Sequence, residues 1–175
     1  MKVVSNSGPL MALGKLGQVH LLYPLYGTVL IPTVVYEEAV LDGLSLGEPD
    51  AVAIEMEFRR RHFQIIEVAE SDLPLKISAL PLDRGEKHAI QLAMNKKADW
   101  ILLDDMRARQ DAKNLGLPAK GTLGVLVDAV RQNLLDISEV DIIFEALLKR
   151  EDIWIAEGLV RRILDELKTS LKNNF

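Results

Sequence analysis

The chain has 175 residues, of which 49% are apolar and none is cysteine. This length and apolar content exclude a disordered chain and predict one domain over residues 1–175, while the lack of cysteine excludes disulfides and thiolate metal sites and fits a cytoplasmic protein. With 21 basic and 26 acidic residues, the formal charge of −5 is not that of a typical nucleic-acid binder, although net charge says little about local fields. No apolar run approaches the roughly 18–20 residues of a membrane span, so we expect no membrane segment.

Short apolar runs alternate with segments of helical periodicity along most of the chain. The predicted strands are 2–5, 28–31, 63–68, 100–103 and 116–120. The first two predicted helices begin near Pro9 and Thr33, and the next two cover 51–61 and 84–97. A helix follows the 100–103 strand and continues through Asn114, and another reaches from Gly121 to Leu135. The last two cover 139–149 and 155–171. This order predicts an α/β fold with a four- to five-stranded, mostly parallel sheet and two C-terminal helices at about 139–171.

Two adjacent carboxylates, Asp104 and Asp105, follow the apolar run Trp100–Leu103 directly. In open α/β sheets, ligands bind beyond the carboxyl ends of the parallel strands, so the pair is a candidate site. An aspartate that opens a helix is often only an N-cap. Because a cap accounts for one of the two residues but not both, we favour a functional interpretation.

Glu38 is a second candidate, because it lies among apolar positions of a predicted helix. At 100° per residue from Thr33, the inward stripe consists of Val34, Val35, Ala39 and Leu41, with Glu38 near its middle. A buried carboxylate is costly unless it is paired or bound to a metal. A partly exposed glutamate beside an arginine is the open alternative.

Glu86 repeats this pattern at the start of the next long helix, on the same face as Ala89, Ile90 and Ala93. The sequence Asp83-Arg84-Gly85-Glu86 also has the form of a capping box, which would explain the glutamate by capping alone. Both interpretations stay open for this residue.

The candidates gain weight as a group. Asn6, Asp104 and Asp105 follow apolar strands at what should be one edge of the sheet, and Glu38 and Glu86 lie on helix faces that would pack against it. Carboxylates that converge repel one another unless a cation neutralises them. Oxygen ligands without cysteine favour Mg²⁺ or Mn²⁺ over zinc, and such ions commonly serve phosphoryl transfer.

Five segments in the same order carry a family resemblance. They are residues 3–10 (VVSNSGPL), 31–38 (IPTVVYEE), 82–90 (LDRGEKHAI), 102–109 (LLDDMRAR) and 121–126 (GTLGVL). In these segments the sequence resembles the PIN-domain nucleases, and within them the prokaryotic PIN-like branch that is often paired with antitoxins. The resemblance implies a three-layer α/β/α fold and a Mg²⁺- or Mn²⁺-dependent ribonuclease.

The resemblance also implies which residues form the site. The metal ligands would be Asn6, Glu38, Glu86 and Asp105, with Glu38, Glu86, Asp104 and Asp105 as the catalytic carboxylates. Asn6 and Asp105 would hold the principal cation, and Glu38 and Glu86 would orient water or a second ion. The expected partners are RNA, a small antitoxin protein and a second copy of the chain.

The first-strand position departs from the family, which usually has aspartate where this chain has Asn6. An amide oxygen can ligate a hard cation but brings no charge, so we expect weakened Mg²⁺ binding. The alternative function is therefore a catalytically inactive PIN-like module that binds RNA or protein. A phospho-acceptor receiver domain, suggested by Asp104, Asp105 and Lys120, is excluded because receivers place the acidic pair after their first strand.

Basic and aromatic residues complete the set of expectations. Arg107, Arg109 and Lys113 lie beside the acidic pair and are predicted to contact RNA phosphates. Trp100 and Trp154 each border an apolar segment and are expected in the core.

Overall fold

A computed structural model describes residues 1–172, with side chains through residue 170. The chain divides into two compact units, Met1–Thr122 and Leu123–Phe175. The first unit contains the sheet, and the second contains helices. The single domain expected over residues 1–175 stays a prediction.

The five strands form one sheet in the order β3-β2-β1-β4-β5, and every pair is parallel. The strands are β1 (Val3–Ser5), β2 (Val29–Pro32), β3 (Phe63–Ile66), β4 (Trp100–Leu102) and β5 (Ala119–Lys120). From β1 the chain builds the sheet in one direction through β2 and β3, and then in the other through β4 and β5. The boundary between β1 and β4 is therefore the topological switch point, where open α/β sheets bind their ligands.

Helices connect these strands and cover the sheet. The α-helices of the first unit are α1 (Ser7–Lys15), α2 (Leu22–Tyr26), α3 (Thr33–Tyr36), α4 (Gly43–Leu46), α5 (Pro49–Arg59), α6 (Leu75–Ser78), α7 (Arg84–Lys96) and α8 (Met106–Asn114). Short 3₁₀ turns occur at Val19–Leu21 and Glu70–Asp72. From Thr122 onward the helices are α9 (Thr122–Arg131), α10 (Ile137–Leu148) and α11 (Glu157–Lys172). The predicted α/β fold with a parallel sheet flanked by helices is confirmed.

The core of the first unit lies where α7 packs on β1, β2 and β4. Val4, Ile90 and Ile101 are fully buried there, as is Ala108 of α8. All three residues of β1 (Val3, Val4 and Ser5) are buried, so the strand has no exposed face and does not alternate apolar with exposed polar residues. This packing holds the ends of β1 and β4 beside the first turns of α7 and α8.

The segment after β2 differs most from its prediction. Instead of one α-helix from Thr33, α3 continues as a π-helix over Glu37–Asp42 and then as α4. A π-helix takes more residues per turn, so the 100° rotation fails beyond Tyr36. Leu41 is consequently 48% exposed, and Glu38 is exposed as a residue rather than central to a buried stripe. Both orientations predicted from periodicity are wrong.

Other differences are local. The third strand ends at Ile66 instead of 68, and the last strand is only Ala119–Lys120. Trp154 is 93% exposed, so its predicted core position is wrong, while Trp100 is half-buried. Through residue 172, the helices are all too short or too polar to span a membrane.

Candidate active site

Asn6 is the first residue after β1 and lies at the switch point of the sheet. Its backbone N–H donates to the Leu102 carbonyl at 3.1 Å and so extends the pairing with β4 by one step. The side chain is 6% exposed, and its buried Oδ1 has no hydrogen-bond partner in the part of the chain that the structure describes. Leaving such an atom unpartnered costs about 1–3 kcal/mol, so it calls for an explanation such as a bound cation.

The start of α7 lies beside Asn6 and is a complete capping box. The Asp83 side chain accepts the Glu86 backbone N–H at 2.7 Å, and the Glu86 carboxylate accepts the Asp83 backbone N–H at 3.1 Å. The capping interpretation of this motif is thus correct. Glu86 is nevertheless only 7% exposed, which a capping role alone does not require.

The environment of Glu86 makes its negative charge costly. Burial is the main reason that its pKa rises from 4.5 to about 7, and the charge of Asp83 is the next. The carboxylates of Asp105 and Glu38 raise the pKa further, while the hydrogen bond from the Asp83 backbone lowers it. Asp83, Asp105 and Glu38 therefore lie close enough to Glu86 for their charges to repel it, and a cation beside Glu86 would relieve the repulsion.

Gly85 makes the close approach of these side chains possible. A Cβ atom on this residue would lie 2.9 Å from Asn6 Oδ1, 3.3 Å from Glu38 Oε2 and 3.5 Å from Asp83 Oδ1. Three oxygens from three separate segments thus converge on one point at the sheet edge. A side chain at this position would compete with them for space.

Glu38 reaches this point from the π-helix. Although the residue as a whole is exposed, its carboxylate is partly desolvated, and this loss of solvation is the main reason that its pKa is raised. The Ser7 hydroxyl hydrogen-bonds the carboxylate and lowers the pKa, while Asp83 and Asp42 raise it. Ser7 thereby orients Glu38, and π-helical turns are found frequently at functional sites.

Asp105 lies across the switch point from Asn6, after the end of β4. Its Oδ1 accepts the Ala108 backbone N–H at 2.8 Å and so caps α8. The residue is exposed, and its charge acts on Glu86. Asp105 therefore caps α8 and also lies near the other carboxylates.

Asp104 has a different environment. Its two carboxylate oxygens accept the Thr122 backbone N–H at 2.7 Å and the Thr122 hydroxyl at 2.6 Å. Burial raises its pKa, and the Thr122 bonds and Arg109 oppose that rise. Asp104 thus ties the start of α9 to the end of β4. The argument that capping explains only one of the two aspartates is wrong, because each one serves the start of a helix.

The carboxylates are near one another, but they do not form a closed cage. Within residues 1–172, no three acidic or histidine side chains come close enough to hold a metal ion by themselves. The oxygens around Gly85 include the amide of Asn6, which is not an acidic group. The donor set of amide and carboxylate oxygens fits Mg²⁺ or Mn²⁺ by its chemistry.

Comparison with known families agrees with this arrangement. A sequence model of a family described as a PIN domain matches residues 2–169. The chain belongs to the PIN-domain family. This membership indicates a nuclease-type function, with RNA as the general substrate and a divalent metal as the general requirement of the family. No curated protein matches the chain.

In this PIN domain, only some of the predicted site residues lie close together. Asn6, Glu38 and Glu86 lie at or beside Gly85, and the charge of Asp105 reaches Glu86. Asp104 is instead engaged by Thr122. The roles of these residues in binding metal or in catalysis stay predictions.

The basic residues of the PIN domain also divide into two kinds. Arg107 and Lys113 are exposed on α8, as an RNA contact requires. Arg109 instead donates from Nη1 to the backbone carbonyls of Leu103 at 3.0 Å and Asp104 at 2.7 Å. A Cβ on Gly121 would lie 2.9 Å from this nitrogen. Arg109 therefore has a structural role, and its predicted RNA contact stays a prediction.

Sequence analysis missed two members of the site. The sequence pattern indicates only a cap for Asp83, although its Oδ1 lies 3.5 Å from the position of a Cβ on Gly85, close to Asn6 and Glu38. Ser7 was interpreted only as part of the turn into α1, yet it directly follows Asn6 and contacts Glu38.

Proposed function

We propose that this PIN domain is a metal-dependent endoribonuclease that hydrolyses RNA phosphodiester bonds. This proposal depends mainly on the buried, unpartnered Oδ1 of Asn6, which lies at the switch point, with carboxylate oxygens of Glu38 and Asp83 against the same glycine, Gly85. An oxygen in this state gains a partner when a cation binds. The proposal extends the general nuclease function of the family to a specific set of residues.

In this proposal Asn6 and Asp105 hold the cation, as Mg²⁺ or Mn²⁺, and Glu38 and Glu86 orient the attacking water or a second ion. A bound cation supplies a lowered water pKa and neutralises charge that develops on the phosphate. Ser7 keeps the Glu38 carboxylate in place. Arg107 and Lys113 bind the RNA backbone on the exposed side of α8. Asp104 hydrogen-bonds Thr122, and Arg109 hydrogen-bonds the Leu103 and Asp104 carbonyls, so both position the residues that follow β4.

A second candidate function follows from the amide at position 6. Asn6 contributes no charge where the family usually has aspartate, so the domain could bind RNA or a protein without cleaving it. This candidate predicts RNA binding without turnover, and turnover in the Asn6→Asp variant.

Cleavage of RNA by the purified protein tests the main proposal. Single-stranded RNA is incubated with Mn²⁺ or Mg²⁺, and with EDTA as the chelator control. We expect cleavage only with metal, and a loss of about 100-fold in Asp105→Asn, since changing even a group that only supports a metal site costs about 10–100-fold in affinity or activity. Asparagine caps a helix about as well as aspartate, so this variant keeps the α8 cap and loses the charge.

Asp136→Asn at the start of α10 is the matched control, because it makes the same change at another capping aspartate. Cleavage that persists in EDTA would contradict the metal-dependent mechanism. RNA binding without cleavage in any metal would favour the second candidate.

We further propose that the protein is the toxin of a toxin–antitoxin pair, is cytoplasmic and acts as a homodimer. A short DNA-binding protein encoded directly upstream would be the partner, and co-expression should abolish cleavage and restore growth. A light-scattering mass of about one chain, 19.5 kDa, would contradict the dimer. Growth that is unaffected by expression of the chain alone would contradict the toxin.

A further inference from the structure

We infer that Asp83, at the start of α7, supplies to the metal site the negative charge that Asn6 lacks. This inference rests on the proposed function, and it assigns to Asp83 a second role beside its capping bond. The cation would then be held by the amide of Asn6 together with carboxylates that include Asp83. The divalent ion would meet the same number of carboxylates as in a site whose first strand ends in aspartate.

The geometry around Gly85 supports this role. Asp83 Oδ1 and Asn6 Oδ1 lie 3.5 and 2.9 Å from the same point, which is the position of a Cβ on Gly85. Asn6 Oδ1 is buried and has no hydrogen-bond partner among the described residues, so this oxygen beside Gly85 can accept a ligand. Asp83 reaches this position from a different segment, which makes the two side chains neighbours in space and not in sequence.

The electrostatics of the site agree with this placement. Asp83 is the neighbouring charge that raises the pKa of Glu86 most, and it also raises the pKa of Glu38. If Asp83 only capped α7, its proximity to two other carboxylates would be unfavourable because of charge repulsion. A cation held by Asn6 and Asp83 would reduce the repulsion that Asp83 exerts on the other two carboxylates.

A charge exchange between positions 83 and 6 tests the inference. Wild type, Asp83→Asn, Asn6→Asp and the double variant are titrated with Mn²⁺ by isothermal calorimetry, and their RNA cleavage is measured. Asparagine keeps the cap of α7, so Asp83→Asn removes the charge and leaves the fold intact, which a melting curve confirms. Asp136→Asn, in the equivalent capping box of α10, is the matched control.

We expect Asp83→Asn to weaken Mn²⁺ binding by about 10–100-fold, as the loss of a group that supports a metal site does. The double variant should regain most of this affinity, while Asp136→Asn should bind as wild type does. Unchanged Mn²⁺ affinity in Asp83→Asn overturns the inference and leaves the proposed nuclease standing. Loss without recovery in the double variant also overturns it, because Asp83 would then act through the helix alone. Wild type that neither binds Mn²⁺ nor cleaves RNA overturns both.

Discussion

Two capping boxes with the same pattern occur in this protein and have different surroundings. Asp83-Arg84-Gly85-Glu86 begins α7, and Asp136-Ile137-Ser138-Glu139 begins α10. In both, the aspartate accepts the backbone N–H of the glutamate, at 2.7 and 2.8 Å, and the glutamate accepts the backbone N–H of the aspartate, at 3.1 and 2.8 Å. Locally the two helix starts are alike.

Their glutamates nevertheless differ in burial. Glu86 is 7% exposed and lies near other carboxylates, whereas Glu139 is exposed at the surface of the second unit. The capping bonds therefore cannot explain the burial of Glu86, since Glu139 makes the same bonds in solvent. The two boxes thus distinguish the contribution of the motif to helix capping from the contribution of Glu86 to the candidate active site. The box of α10 also supplies a matched control for each variant in α7.

Replacing the glutamate of each box should give the largest difference between them. Glutamine can fill this position of a capping box, so Glu86→Gln and Glu139→Gln should both keep their helix starts. We expect Glu86→Gln to lower single-turnover RNA cleavage by about 100-fold or more, because the group acts at the reacting atoms. Glu139→Gln should cleave RNA at the wild-type rate.

Equal cleavage rates in these two variants would contradict a functional difference between the two boxes and would mean that Glu86 is only a buried capping residue. A loss of activity in both, together with lower melting temperatures, would show instead that helix capping controls activity.

The two capping boxes should also differ in how they make the stability of the protein depend on pH, and this difference is expected to be smaller than the difference in cleavage rate. Because the pKa of Glu86 rises from 4.5 to about 7 in the folded protein, the folded state holds this proton more tightly than the unfolded state does. The resulting stabilisation is complete below pH 4.5 and is lost as the pH rises through about 7. In metal-free buffer, wild type should thus lose about 3 kcal/mol of unfolding free energy relative to Glu86→Gln over this range.

Urea unfolding at several pH values, with EDTA present, measures this difference. The raised pKa values of Glu38 and Asp104 act in the same direction, but both proteins contain them, so their effects largely cancel. Glu139→Gln provides the baseline. Mn²⁺ should restore wild-type stability above pH 7, because binding requires the ionised carboxylate. Parallel pH profiles for wild type and Glu86→Gln would contradict the assignment.

The sequence was sufficient to predict the features that depend on local pattern. Buried parallel strands are continuous apolar runs, so the ends of β1 and β4, and with them Asn6 and Asp105, could be located before the structure was known. The capping box at Glu86 could also be recognised, because all its bonds join residues three apart.

Features that depend on packing could not be predicted in this way. The π-helix around Glu38 adds residues to a turn, and periodicity alone does not indicate where this happens. The bond from Thr122 to Asp104 joins residues far apart in the chain, so two neighbouring aspartates with different roles look alike in sequence. Asp83 was missed for a similar reason, since its approach to Asn6 exists only after α7 has packed on the sheet.

The smallest expected difference comes from adding one methyl group at Gly85. Alanine there places a Cβ 2.9 Å from Asn6 Oδ1, so this buried amide oxygen must move, while Glu38 and Asp83 are also crowded. We expect Mn²⁺ affinity to fall by about 10-fold, at the lower end of the 10–100-fold range for groups that support a metal site. Alanine is a better helix former than glycine by up to about 1 kcal/mol, but at position 85 this crowding opposes the gain.

Gly158→Ala near the start of α11 is the control, because a Cβ there meets no atom within 4 Å. This variant should show the gain in helix stability and bind Mn²⁺ as wild type does. Mn²⁺ affinity that falls only in Gly85→Ala would place the effect at the oxygens beside Gly85. Wild-type affinity in Gly85→Ala would mean that the Asn6 amide can move without cost to the metal, and that its oxygen is not a ligand.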